Sequence, residues 1–111
     1  QQAAEVTIAN DDTLARRDLD LFLRCNDRFG EDTLTVHITL LTPDSLRFGE
    51  PFLLTLRHDR RTAALASEAV IPYRRRVRFG RTGDYRIRIT PARPVRGVES
   101  VGIHIKTSEQ N

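Results

Sequence analysis

The chain has no methionine and no tryptophan, a single cysteine, two tyrosines, and only one lysine among 18 basic residues. Each shortage removes something. One cysteine, Cys25, leaves no partner for an intrachain disulfide, and it names no redox compartment. It falls on the phase of Leu19, Leu21 and Leu23, where a thiol reads as a small buried hydrophobe rather than a reactive group. No apolar run approaches the ~20 residues of a membrane-spanning helix, and no secretory leader pattern is written in these residues. The chain opens Gln1-Gln2. We expect a processed N-terminus, with any targeting segment upstream. With tryptophan absent and tyrosine scarce, a stacking platform for single-stranded nucleic acid or neutral sugar rings is missing.

The signatures of common chemistries are missing as well. His37, His58 and His104 fall on separate segments with no HxH or HExxH spacing, so no local zinc motif forms. Asp11-Asp12 lacks the spaced oxygens of a calcium loop and reads as turn chemistry. No serine sits in a G-x-S-x-G elbow, and the glycines form no phosphate-cradling loop. Asp18 and Asp20 share a strand face, as a carboxylate pair could. A glycosidase pair flanks a cleft, however, whereas a sheet face with Arg24 in the same phase reads as salt-bridged and solvated. We therefore expect no catalytic, cofactor-binding or metal-binding residue and no cofactor. A hydrolase built from Asp18, Asp20 and a histidine stands as the enzymatic alternative.

What the chain does have is period-two alternation. Successive strand side chains point to opposite faces, so alternating apolar residues mark a half-buried strand. Val6 and Ile8 alternate over 5–9; Leu19, Leu21, Leu23 and Cys25 over 17–25; Leu34, Val36, Ile38 and Leu40 over 33–42. Phe52, Leu54 and Leu56 follow over 51–58, and Val101, Ile103 and Ile105 over 98–107. The segment 43–50 reads as a turn, 62–68 as at most a single helical turn, 91–97 as a loop and 108–111 as a frayed tail. Pro72 marks a sheet edge or a bulge. Seven or eight short strands predict one all-β domain over 1–111, an antiparallel β-sandwich of immunoglobulin-like or jelly-roll-like kind.

Charge is unevenly placed. Residues 1–68 carry 8 arginines and 12 acids, whereas 69–111 carry 10 basic residues and 3 acids. The basic part is densest between Tyr73 and Arg88. There Val77 and Phe79, then Tyr85, Ile87 and Ile89, alternate with arginines across Gly80-Arg81-Thr82-Gly83, which is hairpin-turn chemistry. A two-stranded ribbon is predicted, with Arg74, Arg76, Arg78, Arg86 and Arg88 lining its outer face. Like charges on neighbouring strands repel by a few tenths to ~1 kcal/mol. Such a face either binds an anionic partner or is relieved by acids such as Asp18 and Asp20 on an adjoining strand. An arginine-rich face suits carboxylate and phosphate groups, so anionic glycans, lipid head groups and acidic protein faces are candidate partners. Nucleic acid is disfavoured for want of aromatics.

Phe79, Gly83-Asp84-Tyr85-x-Ile87-x-Ile89, Ala92-Arg93 and Gly97-Val98-x-x-Val101-Gly102-Ile103-x-Ile105-Lys106 together resemble the end of the GldH family. These are gliding-motility lipoproteins of Bacteroidetes-type bacteria. The earlier Leu21-Phe22-Leu23-Arg24, Phe29 and Thr33-Leu34-x-Val36-x-Ile38 are similar to that family's first strands. The resemblance spans about residues 17–106. It implies a non-enzymatic accessory of gliding-type motility, secretion or envelope assembly that contacts other envelope or motility proteins. It also implies membrane attachment through a lipid-bearing cysteine preceding or near Gln1, since Cys25 lies mid-strand.

Overall fold

The computed structural model describes residues 3–55 and 67–108. Among the described residues there are seven strands: β1 (Ala4–Asn10), β2 (Arg16–Cys25), β3 (Thr33–Leu41), β4 (Arg47–Thr55), β5 (Ser67–Arg78), β6 (Gly83–Pro91) and β7 (Val98–Thr107). All pairings are antiparallel. One sheet runs β1-β6-β3-β4 and the other β5-β2-β7, and the two pack as the β-sandwich that the alternation predicts. Leu56, His58, residues 62–66 of the helix-like patch and tail residues 109–111 lie outside the described residues. Ser67 and Glu68, placed with that patch by sequence, belong to β5.

The core lies between the sheets. Central strand β2 contributes Leu19, Leu21, Leu23 and Cys25; β3 contributes Leu34, Val36 and Ile38; β6 contributes Tyr85, Ile87 and Ile89. Burying each large aliphatic is worth roughly 1.5–3 kcal/mol before the entropy of ordering the chain is subtracted. Three strands cannot cover four. Phe48, on the inward phase of β4, is consequently 56% exposed. Where the sheets do overlap at that side, Phe52 of β4 meets Tyr73 of β5 edge-to-face at 5.0 Å.

Two expectations are overturned. β5 and β6 are not a hairpin: β5 pairs with β2, while β6 lies between β1 and β3 in the other sheet. The Gly80-containing link is an inter-sheet crossover. Asn10 pins it from the end of β1. The buried Asn10 amide donates to Phe79 O at 3.0 Å and Arg81 O at 2.7 Å, and its Oδ1 accepts from Arg17 Nη1 at 2.6 Å. Turn residues alone could not reveal this, because a glycine-bounded link suits a hairpin and a crossover equally. The second correction is the start of β4, which is at Arg47 and not after residue 50. The turn before it is shorter than expected, closed by Thr42 N–H to Leu46 O at 2.9 Å and Leu46 N–H to Thr42 Oγ1 at 3.0 Å.

Edge strands β4 and β5 each carry a proline in mid-strand, Pro51 and Pro72. Proline is tolerated where its nitrogen faces away from the ladder, and it blunts an exposed edge against pairing with another chain. Next to Pro72 the β2–β5 register shifts twice, between Arg17 and Leu19 and between Leu19 and Asp20. Arg76 sits there at φ 58°, a conformation that costs a non-glycine residue about 1–2 kcal/mol.

Candidate functional site: two sheet faces with different charge balance

Because β5 and β6 part company, the predicted arginine set divides. Arg86 and Arg88 stand on the outer face of the four-stranded sheet; Arg74, Arg76 and Arg78 belong to the edge of the other. Arg74 turns toward β4, where its Nη2 lies 2.5 Å from Glu50 Oε1 and its guanidinium covers the Tyr73 ring at 4.4 Å. Tyr73 donates its hydroxyl to the same Glu50 carboxylate. Burial, and then that hydrogen bond, push the Tyr73 pKa up to about 12. Arg78 reaches Thr13 O at 3.4 Å. The Arg76 N–H donates to Asp18 Oδ1 at 3.0 Å.

The residue that sequence reasoning missed is Arg75. Strict alternation turns it inward, but the bulge swings it onto the outer face of the three-stranded sheet. Its Nη1 lies 2.7 Å from Asp20 Oδ1 and 3.7 Å from Asp18 Oδ2. Asp20 is only 8% exposed. Its Oδ1 receives no well-aligned hydrogen bond and is balanced by the Arg75 charge alone. Asp18 accepts from the Ser108 hydroxyl at 2.6 Å. That bond, the Arg76 N–H, and the Arg75 and Lys106 charges hold its carboxyl below the usual range. A depressed carboxyl suits an ion-pair acceptor and is the wrong state for a general acid. Two carboxylates at i and i+2 with a proline on the facing strand were the available signal for Arg75.

Farther along the same face Phe22 stacks on His104, with ring centroids 5.4 Å apart, and Arg24 lies 3.2 Å from Glu99 and 3.8 Å from Glu68. Arg24, Arg74 and Arg75 of this sheet are thus matched to acids, whereas Arg16, Arg17 and Arg78 have no carboxylate partner among the described residues. Behind the sheet, burial and then the nearby Glu99 charge push the Cys25 thiol up to about 11, so it is protonated at neutral pH. Among the described residues no three His, Cys, Asp or Glu side chains converge on a metal-sized site. A cleft of ≈ 480 Å³ at the loop end is lined by Thr13, Pro43, Asp44, Gly80, Arg81 and Thr82. Its charges pair with each other, Arg81 Nε lying 3.2 Å from Asp44 Oδ2.

The outer face of the four-stranded sheet is different. Read across from β1 to β4, one row is Thr7, Arg86, Leu41 and Arg47. The next is Glu5, Arg88, Thr39 and Gly49. Arg47 therefore joins Arg86 and Arg88, although the sequence places it in a turn. Arg47 and Arg86 have no carboxylate partner among the described residues. Arg88 approaches Glu5 only to 3.9 Å, with both side chains about half exposed, and such a pair is worth little. Compared with known protein families, curated proteins and solved structures, the chain matches none.

Proposed function

We propose that this chain is a non-catalytic docking domain that holds an anionic partner against the outer face of its four-stranded sheet. One observation carries the proposal. Among the described residues Arg47 and Arg86 have no carboxylate partner and stand with Arg88 on one open sheet face, while on or beside the other sheet Arg24, Arg74 and Arg75 are each matched to a carboxylate and Arg78 reaches only a carbonyl. Cations left uncompensated on a folded surface are available to a ligand, and arginine grips carboxylate and phosphate in a bidentate manner. The proposed setting is the cell envelope, with the domain tethered by a lipid anchor outside these residues. There it acts as an accessory of gliding-type motility, secretion or envelope assembly. The GldH-like residues of β2, β3, β6 and β7 support that setting.

The test is capture from cross-linked native envelopes by the wild type, by Arg47→Ser/Arg86→Ser/Arg88→Ser, and by Arg24→Ser on the opposite face. We expect capture of an anionic partner to survive Arg24→Ser and to be lost in the triple variant. It should also weaken steeply with salt, since exposed charges are screened over ~10 Å at 0.1 M. Equal capture by all three proteins would remove this face from consideration.

A further inference from the structure

We infer that β1 is the seam of a homodimer, in which two copies of this chain join antiparallel, β1 to β1, about a two-fold axis at Thr7. The inference does not rest on the arginine face. A strand at the edge of a sheet keeps one row of backbone N–H and C=O groups unpaired, which is a template for another extended chain. The sandwich has four such strands, β1 and β7 on one side and β4 and β5 on the other. Three of them carry features that resist pairing. β4 has Pro51, and β5 has Pro72 beside two register shifts. β7 has a register shift where it passes Arg24 and Cys25, and the exposed charge of Lys106. β1 has none of these: its seven residues hold an unbroken register with β6, and Glu5 is its one charge. Among the described residues nothing pairs with its free side. Its inward side chains Ala4, Val6 and Ile8 are only partly buried.

Self-complementarity selects a second copy as the occupant. Opposed residues of an antiparallel pair share a face, so pairing about Thr7 sets Val6 opposite Ile8 of the second copy, Thr7 opposite Thr7 and Glu5 opposite Ala9. The half-buried apolar residues then gain apolar cross-strand neighbours, and the one charge faces none of its own sign. With a single charge on the strand, β1 offers an unrelated strand little to fix its register, whereas a two-fold axis fixes it by symmetry. Two four-stranded sheets become one of eight. Because the same patch serves both copies, the contact closes at two. On the far side the prolines of β4 and β5 stop the sheet from growing past this pair.

Sedimentation velocity over a concentration series, with amide hydrogen exchange followed on the same samples, tests this. We expect a monomer–dimer equilibrium, with β1 amides exchanging more slowly as the dimer forms. Thr7→Glu gives Arg86 a carboxylate on the facing strand of the monomer but sets two like charges opposite each other at the seam, so the dimer should weaken roughly 5-fold. Ala9→Lys places a cation opposite Glu5 at both ends of the seam and should tighten the dimer roughly 2–10-fold. It keeps the test open should Thr7→Glu disturb the fold. Arg47→Ser, on the far strand of the same sheet, should dimerise as the wild type does. A monomer at every concentration overturns the inference and leaves the β1 edge to a strand of another protein. So does a dimer that both β1 variants leave unchanged, that Arg47→Ser weakens as much as Thr7→Glu, or that forms without slowing β1 exchange.

Discussion

Asn10 shows how a single side chain can decide topology. It is 3% exposed and forms three hydrogen bonds, two of them to carbonyls of the link that carries the chain from β5 to β6. Truncating it strands those carbonyls and frees Arg17 beneath Phe79, whose ring the guanidinium covers at 5.4 Å. At ~1–3 kcal/mol for each buried polar group left unpaired, Asn10→Ala should cost about 2–4 kcal/mol. Urea denaturation checks this; a loss under ~1 kcal/mol, the size of an ordinary surface change, would show that the crossover is held elsewhere. In the sequence Asn10 reads only as the end of a strand before Asp11-Asp12, since nothing local says that a residue 69 positions away needs its amide.

At the scale of elements, the well-read strands are those whose alternation runs unbroken. β3 keeps its period throughout, from Thr33 to Ile38. β5 does not, because the bulges opposite Leu19 reset its phase and Arg75, not Arg74, meets the aspartates. The loop before β7 depends on one close approach. Gly97 has φ 89°, and a Cβ there would lie 2.2 Å from Phe29 N and 2.6 Å from Phe29 Cα. Gly97 O also accepts the Asn26 N–H at 2.8 Å. Neither backbone segment can retreat without moving buried Phe29. Gly97→Ala combines left-handed strain with a backbone clash, so a loss of more than ~3 kcal/mol is expected. Its thermal melt should fall well below that of Gly30→Ala, where a Cβ would meet nothing within 4 Å. Equal melting of the two would refute the clash.

For the whole molecule, the two sheets are tied at one side by a polar contact as well as by packing. Glu50 of β4 receives both the Tyr73 hydroxyl and the Arg74 guanidinium of β5. The Tyr73 pKa is raised to about 12, above the ~10 of an unfolded chain, so the folded state favours the protonated phenol. That contribution to stability is complete below about pH 10 and is lost as pH rises from there through about 12. The difference in phenolate absorbance between wild type and Tyr73→Phe should titrate late, and the variant should lose less stability than wild type across that alkaline window. A Tyr73 titration near 10 would mean that the inter-sheet contact is not maintained in solution.

Period-two alternation by itself determined that the chain is an all-β sandwich, which strand faces are buried and that Cys25 lies within the core. Those are local properties, set by side chains pointing alternately to either side of an extended backbone. Which strands pair was decided only in the tertiary structure, since pairing depends on distant partners such as Asn10 and on the bulge that redirects Arg75. The same separation governs the candidate site. Arginines dense between Tyr73 and Arg88 in sequence are divided between two sheets, while Arg47, 39 positions before Arg86, is brought onto the same face. Local chemistry marks a residue as cationic, but whether a carboxylate neutralises it is settled by the three-dimensional neighbours that folding supplies.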